Sequence, residues 1–228
     1  MDGYLLIDKP IGISSFGVVA RVRRAIRVET GRKIKVGHTG TLDPLASGLL
    51  ILVLGSYTKR AQEFSKMDKT YEAELTLGST SATGDAEGPI TEASRQKPED
   101  REVKKVLESF VGKISQTPHA HSAVKVGGQR AYKLARQGKE VIIEPRQVTI
   151  YAVEKVRYKY PKLSFIAEVS SGTYIRSLAE DIGQKLGTGA YLSALRRTKV
   201  GRFDISDSVA IDDTSEQHQI LKSAIKNS

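Results

Sequence analysis

Six apolar residues in a row, Leu49-Leu50-Ile51-Leu52-Val53-Leu54, run between Gly48 and Gly55. The run is far short of the ~18 residues that a membrane span requires. It has the length of a buried strand, so the rest of the chain must supply a core around it. With 228 residues, 39% of them hydrophobic, the chain can do so as one domain or slightly more. The N-terminal MDGYLLIDKP has no basic stretch ahead of its short apolar segment. Neither a signal peptide nor a membrane anchor is expected, and a cytoplasmic location is.

The loop leading into this strand reads GHTGTLDPLASG, Gly37 to Gly48. Its glycines and Pro44 fix a backbone path, and it carries one carboxylate, Asp43. The chain has no cysteine, which excludes disulfides, thiolate nucleophiles and cysteine-bound zinc. His38, His119, His121 and His218 lack the spacing of a metal site. No G-x-x-x-x-G-K-S/T occurs, and no G-x-G-x-x-G follows a strand, so a phosphate cradle is missing too. Two readings of Asp43 stay open on the residues alone. It is the centre of a cofactor-free reaction, or a structural turn, since Asp-Pro commonly starts one.

The formal charge of +10 points to a polyanionic partner. Three stretches concentrate it: Arg21, Arg23, Arg24, Arg27, Arg32, Lys33 and Lys35; then Lys125, Arg130, Lys133, Arg136 and Lys139; then Arg196, Arg197, Lys199 and Arg202. A generically basic surface is the plainer alternative.

Hydrophobic spacing predicts a strand over Gly3–Ile7, then a turn at Lys9–Gly12. Ser14 or Ser15 caps a helix carrying Val18, Val19, Val22, Ala25 and Ile26 inward. Thr58–Met67 reads as a short helix, and Tyr71, Ala73, Leu75 and Leu77 mark a half-buried strand. Ser79–Pro98 reads as a long loop and Glu99–Phe110 as a helix. Gly112–Glu140 reads as a surface arm with a short basic helix through Tyr132, Leu134 and Ala135. Strands follow at Val148–Tyr158 and Leu163–Val169, then a helix over Tyr174–Leu186. Tyr191–Phe203 reads as a loop leading into a strand, and the tail from Asp213 as polar, with a short helix at most. Strands and helices do not alternate regularly. The expected class is α+β with a mixed, largely antiparallel sheet flanked by helices.

GHTGTLDPLASGLL resembles the signature loop of the TruB family of tRNA pseudouridine synthases. LLIDKPIGISS (Leu5–Ser15) resembles the family's N-terminal motif, and DKTYEAELTLG (Asp68–Gly78) its tyrosine-bearing strand. SAVKVGGQRAYKLARQG (Ser122–Gly138) is similar to its RNA-gripping insertion, SSGTYIRSLAEDIG (Ser170–Gly183) to its arginine motif, and LRRTKVGRF (Leu195–Phe203) to the segment after it. The resemblance implies a pseudouridine synthase fold over residues 1–228, as one catalytic domain with the insertion at about 112–145. It implies isomerisation of a uridine in the tRNA T-loop (position 55) to pseudouridine by base flipping, with no cofactor and no metal.

By the same resemblance Asp43 is the catalytic carboxylate and Arg176 its ion partner. Tyr71 stacks on the target base, Tyr174 and Leu195 line the substrate pocket, and His38 fills the space left by the flipped nucleotide. Lys9 and Pro10 brace the loop. The implied partner is the T-arm of tRNA, with no membrane, no obligate protein partner and a monomeric chain. His121 stands where the family usually has an aromatic residue. A C-terminal RNA-binding domain of the PUA type is not expected, which leaves the insertion and the basic helix near Arg21–Arg27 to carry more of the affinity. The alternatives are a synthase acting on another RNA, alone or directed by a guide RNA, and an RNA-folding or RNA-binding module without catalysis.

Overall fold

The computed structural model describes residues 1–119, 124–131, 134, 137 and 141–211. The chain divides into two compact units, Met1–Tyr71 with Arg196–Ser228, and Glu72–Leu195.

In the first unit, Gly3–Lys9 (β1) is followed by Ser15–Thr30 (α1), Val36–His38 (β2) and Ser47–Leu54 (β3). The apolar run is β3, buried from Gly48 to Leu54. It pairs antiparallel with β1, from Gly3 opposite Leu54 to Lys9 opposite Gly48, and antiparallel with β2. Ser14 caps α1 by accepting from Gly17 N at 3.0 Å, and Gly31 ends the helix in the left-handed region. Val18, Val19, Val22 and Ile26 are its buried stripe. The expected helix at Thr58–Met67 splits into a 3-10 segment, Gly55–Arg60, and a short α-helix, Ala61–Ser65 (α2). Tyr4, Phe64 and Phe203 pack ring against ring at 5.2–5.9 Å beside Leu6, Leu49, Ile51 and Val53.

Lys69–Leu77 (β4) and Ala190–Val200 (β12) each contribute to both units. In the second unit come Ser79–Ser81 (β5), Ile90–Glu92 (β6), Asp100–Glu108 (α3), Gly112–Gln116 (β7), the small hairpin Lys125–Val126 (β8) and Gln129–Arg130 (β9), Arg146–Lys159 (β10), Lys162–Val169 (β11) and Ile175–Lys185 (α4). Its sheet runs in the order β12-β4-β11-β10-β7, with β10 antiparallel to both neighbours. Burial alternates along β4 and β11, as a sheet with one packed face demands. Ile175, Leu178, Ala179 and Ile182 of α4 are buried.

In the first unit Phe203–Asp204 (β13) pairs antiparallel with β12, and Val209–Ala210 (β14) lies parallel to β1. β12 is also parallel to β3, through Arg196 and Arg197 opposite Ser47 and Gly48. The fold is a mixed α+β one with a mostly antiparallel sheet, as expected. Two segments differ from their reading. The Ser79–Pro98 loop contains the β5–β6 hairpin, and Tyr191–Val200 is continuous strand rather than loop. His121, Lys133, Arg136, Lys139, His218 and the tail from Asp213 lie outside the described residues. No helix among the described residues is long and apolar enough to cross a membrane.

Candidate active site

The Gly37–Gly48 loop is pinned at both ends and in the middle. Thr39 N donates to Ile51 O at 3.1 Å. Ser15 Oγ, the first residue of α1, accepts from Leu42 N at 2.8 Å and donates to Leu42 O at 2.9 Å. Gly12 N donates to Pro44 O at 2.8 Å, and Ala46 N to Asp43 O at 3.0 Å. Arg197 completes the frame: its Nε donates to Leu49 O at 2.7 Å and its Nη2 to Gly40 O at 3.1 Å. Gly48 lies under the Arg197 backbone at φ 103°, and a Cβ there would collide with it. Leu42 and Ala46 on either side of Asp43 are buried, while Asp43 itself is half-buried. Sequence folds this way because a buried guanidinium needs acceptors, and the loop's turned backbone offers them.

Lys9 is fully buried, and its Nζ donates to Pro10 O at 2.9 Å and Ile13 O at 2.7 Å. It clamps the turn that precedes α1, while Pro10 is exposed. His38 sits in β2 opposite Leu52 and is half-buried. Tyr71 is buried on β4, on the same side as Lys69. Lys69 Nζ donates to Ser65 O at the end of α2 at 2.6 Å, and burial, aided by Arg197, lowers it to about 8.

The second unit gathers Tyr174 and Arg176 at the start of α4. Tyr174 offers α4 no side-chain cap. The buried Gln116 amide instead fixes Tyr174 itself: Nε2 donates to Tyr174 O at 3.0 Å and Oε1 accepts from Tyr174 N at 2.8 Å. Arg176 Nε lies 3.1 Å from Asp85 Oδ2, and Nη1 donates to Thr83 O at 3.1 Å. Asp85 is held in turn by Thr83 Oγ1 at 2.6 Å and Glu87 N at 3.1 Å. The Tyr174 ring carries the guanidinium of Arg146, 4.6 Å from its centroid. Arg146 Nε and Nη2 are buried without a hydrogen-bond partner. Leu195 is half-buried on β12.

Lys9, Pro10, His38, Asp43 and Tyr71 thus belong to the first unit, and Tyr174, Arg176 and Leu195 to the second. Sequence reasoning missed Asp85, Arg146, Gln116 and the loop-holding Arg197. In the third basic stretch Lys199 and Arg202 are exposed, but Arg196 and Arg197 have partners inside the protein. Arg197 is 2% exposed, and Arg196 forms a two-pronged pair with Asp8 at 2.7 and 3.2 Å. Among the described residues no group of three or more histidine and acidic side chains could hold a metal ion.

Comparison with known proteins places this arrangement. Residues 23–175 match the TruB family pseudouridylate synthase (N terminal domain), and residues 176–227 the tRNA pseudouridylate synthase B C-terminal domain. These matches define the class as pseudouridine synthase, an isomerase. A tRNA pseudouridine synthase B of Aquifex aeolicus is 43% identical over 215 residues, 93% of this chain and 73% of the relative. That of Dechloromonas aromatica is 47% identical over 211 residues, 92% and 69% of the two chains. The chain belongs to the TruB family of pseudouridine synthases. Among solved structures, a Cbf5-Nop10-Gar1 complex matches with a TM-score of 0.73 and 29% identity, over 98% of this chain and 57% of that one. An H/ACA RNP bound to a substrate RNA containing 2'-deoxyuridine matches with a TM-score of 0.70 and 27% identity, over 97% and 55%. The chain spans little more than half the length of these two neighbours.

Proposed function

We propose that this chain converts a uridine in the T-loop of tRNA, position 55, to pseudouridine, with Asp43 as the catalytic carboxylate. The observation that carries the reading is the framework around Asp43: a half-buried acid between buried Leu42 and buried Ala46, on a loop fixed by Ser15, Gly12 and Arg197. A carboxylate held this firmly can be presented to one carbon of an extruded nucleoside.

Two routes suit an ionised carboxylate: attack on C1′, or removal of a sugar proton to give a glycal. In either, the bond from C1′ to N1 breaks, the uracil turns, and a bond from C1′ to C5 forms. C5 gives up its hydrogen as N1 gains one, so substrate and product are isomers and nothing else is consumed. Arg176 is assigned as the ion partner of that carboxylate, and Asp85 fixes where its guanidinium points. Tyr71 stacks on the base, Tyr174 and Leu195 shape its pocket, and Lys9 and Pro10 brace the loop. Extruding the nucleotide costs a few kcal/mol. His38, taking its place in the stack, returns roughly 1–3 kcal/mol. The two nitrogens of Arg146 without an acceptor are shielded, so an RNA phosphate meets them once the side chain swings off Tyr174.

The test is to mix the purified chain with unmodified tRNA, without guide RNA or other protein, and map pseudouridine. Conversion by wild type is expected, with Asp43→Asn binding the same tRNA and converting none. Equal conversion by the Asn variant would remove Asp43 from the chemistry. Conversion only in the presence of a guide RNA would move the substrate assignment to other RNAs.

A further inference from the structure

Behind Arg176 lies an ionisable pair to which the reaction gives no part. Glu180 follows Arg176 by one turn of α4, so the two side chains leave the same face of the helix. Both close on Gly84: a Cβ there would stand 2.9 Å from Arg176 Cγ and 2.9 Å from Glu180 Oε1. His119, beyond the end of β7, places Nε2 3.5 Å from Glu180 Oε1. Its segment is tied to α4 by Ser177 Oγ, which donates to Thr117 O at 3.0 Å, and by Gln116 on Tyr174. The His119 side chain is 15% exposed and that of Glu180 36%, so the imidazole is shielded and the carboxylate half-buried.

Among the described residues, the charged groups around Glu180 are Arg176 and Asp181 on its own helix, Asp85 on the turn before β6, and His119. Burial pushes Glu180 up to about 7; Arg176 opposes the rise, while Asp181 and Asp85 add to it. Asp85 already holds Arg176 at 3.1 Å. An anionic Glu180 one turn away pulls on the same guanidinium and competes with any other carboxylate that needs it. A proton on Glu180, or on the imidazole beside it, cancels that pull.

We propose that Glu180 is a positioning residue acting through Arg176, and that one proton shared with His119 keeps its charge off the guanidinium. The proposal rests on the role given above to Arg176 in pseudouridine formation. While the pair keeps its proton it is neutral overall, whichever partner carries it. When that proton leaves, the pair becomes a net anion and Arg176 is drawn inward. Because two groups share the site, the proton leaves at a higher pH than Glu180 alone would release it. Activity therefore declines on an alkaline limb that belongs to the pair.

Single-turnover pseudouridine formation, followed from about pH 6 to 9 in wild type, His119→Ala and Glu180→Gln, separates the possibilities. The wild type is expected to lose rate on the alkaline side, and His119→Ala to lose it roughly one pH unit lower. Glu180→Gln should keep the neutral-pH rate within about twofold and show no such limb. NMR titration of the His119 imidazole in the free protein adds a readout without activity: Glu180→Gln should lower its pKa. The proposal is overturned if Glu180→Gln follows the wild-type profile, or scales it down equally at every pH as lost packing would. It is equally overturned if the His119 titration ignores the substitution. A wild type inert at every pH overturns the functional reading and the catalytic consequence with it, and the imidazole titration then judges the pair alone.

Discussion

The two units hold their candidate site residues by different means. In the first, Asp43 is fixed indirectly, by neutral hydrogen bonds and by one buried guanidinium that spends its donors on backbone carbonyls. In the second, Arg176 is fixed by another ionisable group, Asp85, with Glu180 and His119 next in line. Bonds to backbone acceptors do not titrate, whereas carboxylates and imidazoles do. The first arrangement sets a geometry and the second sets a charge. Substituting a residue of the first framework should therefore change stability and rate together, at any pH. Substituting one in the second should change affinity or pH response while the fold stays intact.

The largest effect belongs to Arg197. Replacing it with Met removes a buried charge and leaves the carbonyls of Gly40 and Leu49 without that donor, a loss of about 3 kcal/mol. For a chain of this length the melting temperature should fall by roughly 6–12 °C. Turnover should drop with it, because the loop that carries Asp43 loses its tie to β12. Arg197→Lys should lie between the two, since an ammonium cannot reproduce the fork that spans both acceptors. A melting temperature for Arg197→Met within 2 °C of wild type, by the same size scaling, would show that the other pins suffice.

How much of this was legible in the sequence follows the same division. Local features were readable: the β3 run, the Ser14 cap and stripe of α1, and the alternation along β4. Partners distant in sequence were not. Asp85 sits in a stretch whose Gly84, Gly88 and Pro89 read only as a loop, and nothing local ties it to Arg176. β12 was hidden because Arg196, Arg197, Thr198 and Lys199 interrupt any apolar alternation. Its strand is held by pairing with β3 and β13, which spacing does not reveal. Arg197 shows the limit most clearly. Sequence displays a charge but not its burial, so a residue that bolts the interior was grouped with surface cations.

Arg146 tests the second unit. Its guanidinium stacks on Tyr174 with two nitrogens lacking acceptors, so it contributes little to folding and has bonds to offer a ligand. Arg146→Met should weaken tRNA binding by about 10- to 100-fold, the equivalent of one charge-assisted contact. The slope of log affinity against log salt should fall by about 0.7–0.9, as for one neutralised phosphate. Melting temperature should stay the same or rise. A lower affinity with an unchanged salt slope would assign Arg146 to shaping Tyr174 rather than to gripping phosphate.

The smallest effect comes from Lys69, which blurs the division, being a titrating group in the unit whose Asp43 loop is fixed by bonds that do not titrate. Burial lowers it from 10.5 to about 8, while its Nζ sits on the α2 terminus. The unfolded chain keeps that proton up to the ordinary lysine range, so between the two values it binds more protons than the folded chain. Stability should therefore carry a penalty below about pH 8 that is relieved as pH rises toward 10. After solvent screening the relief is on the order of 1 kcal/mol. Other groups titrate in the same range, so the quantity to measure is the difference between wild type and Lys69→Met. That difference should move in favour of wild type between pH 7 and 10, because a neutral amine still donates to Ser65 O at no charge-burial cost. Parallel stability curves would mean that the α2 carbonyls fully offset the burial.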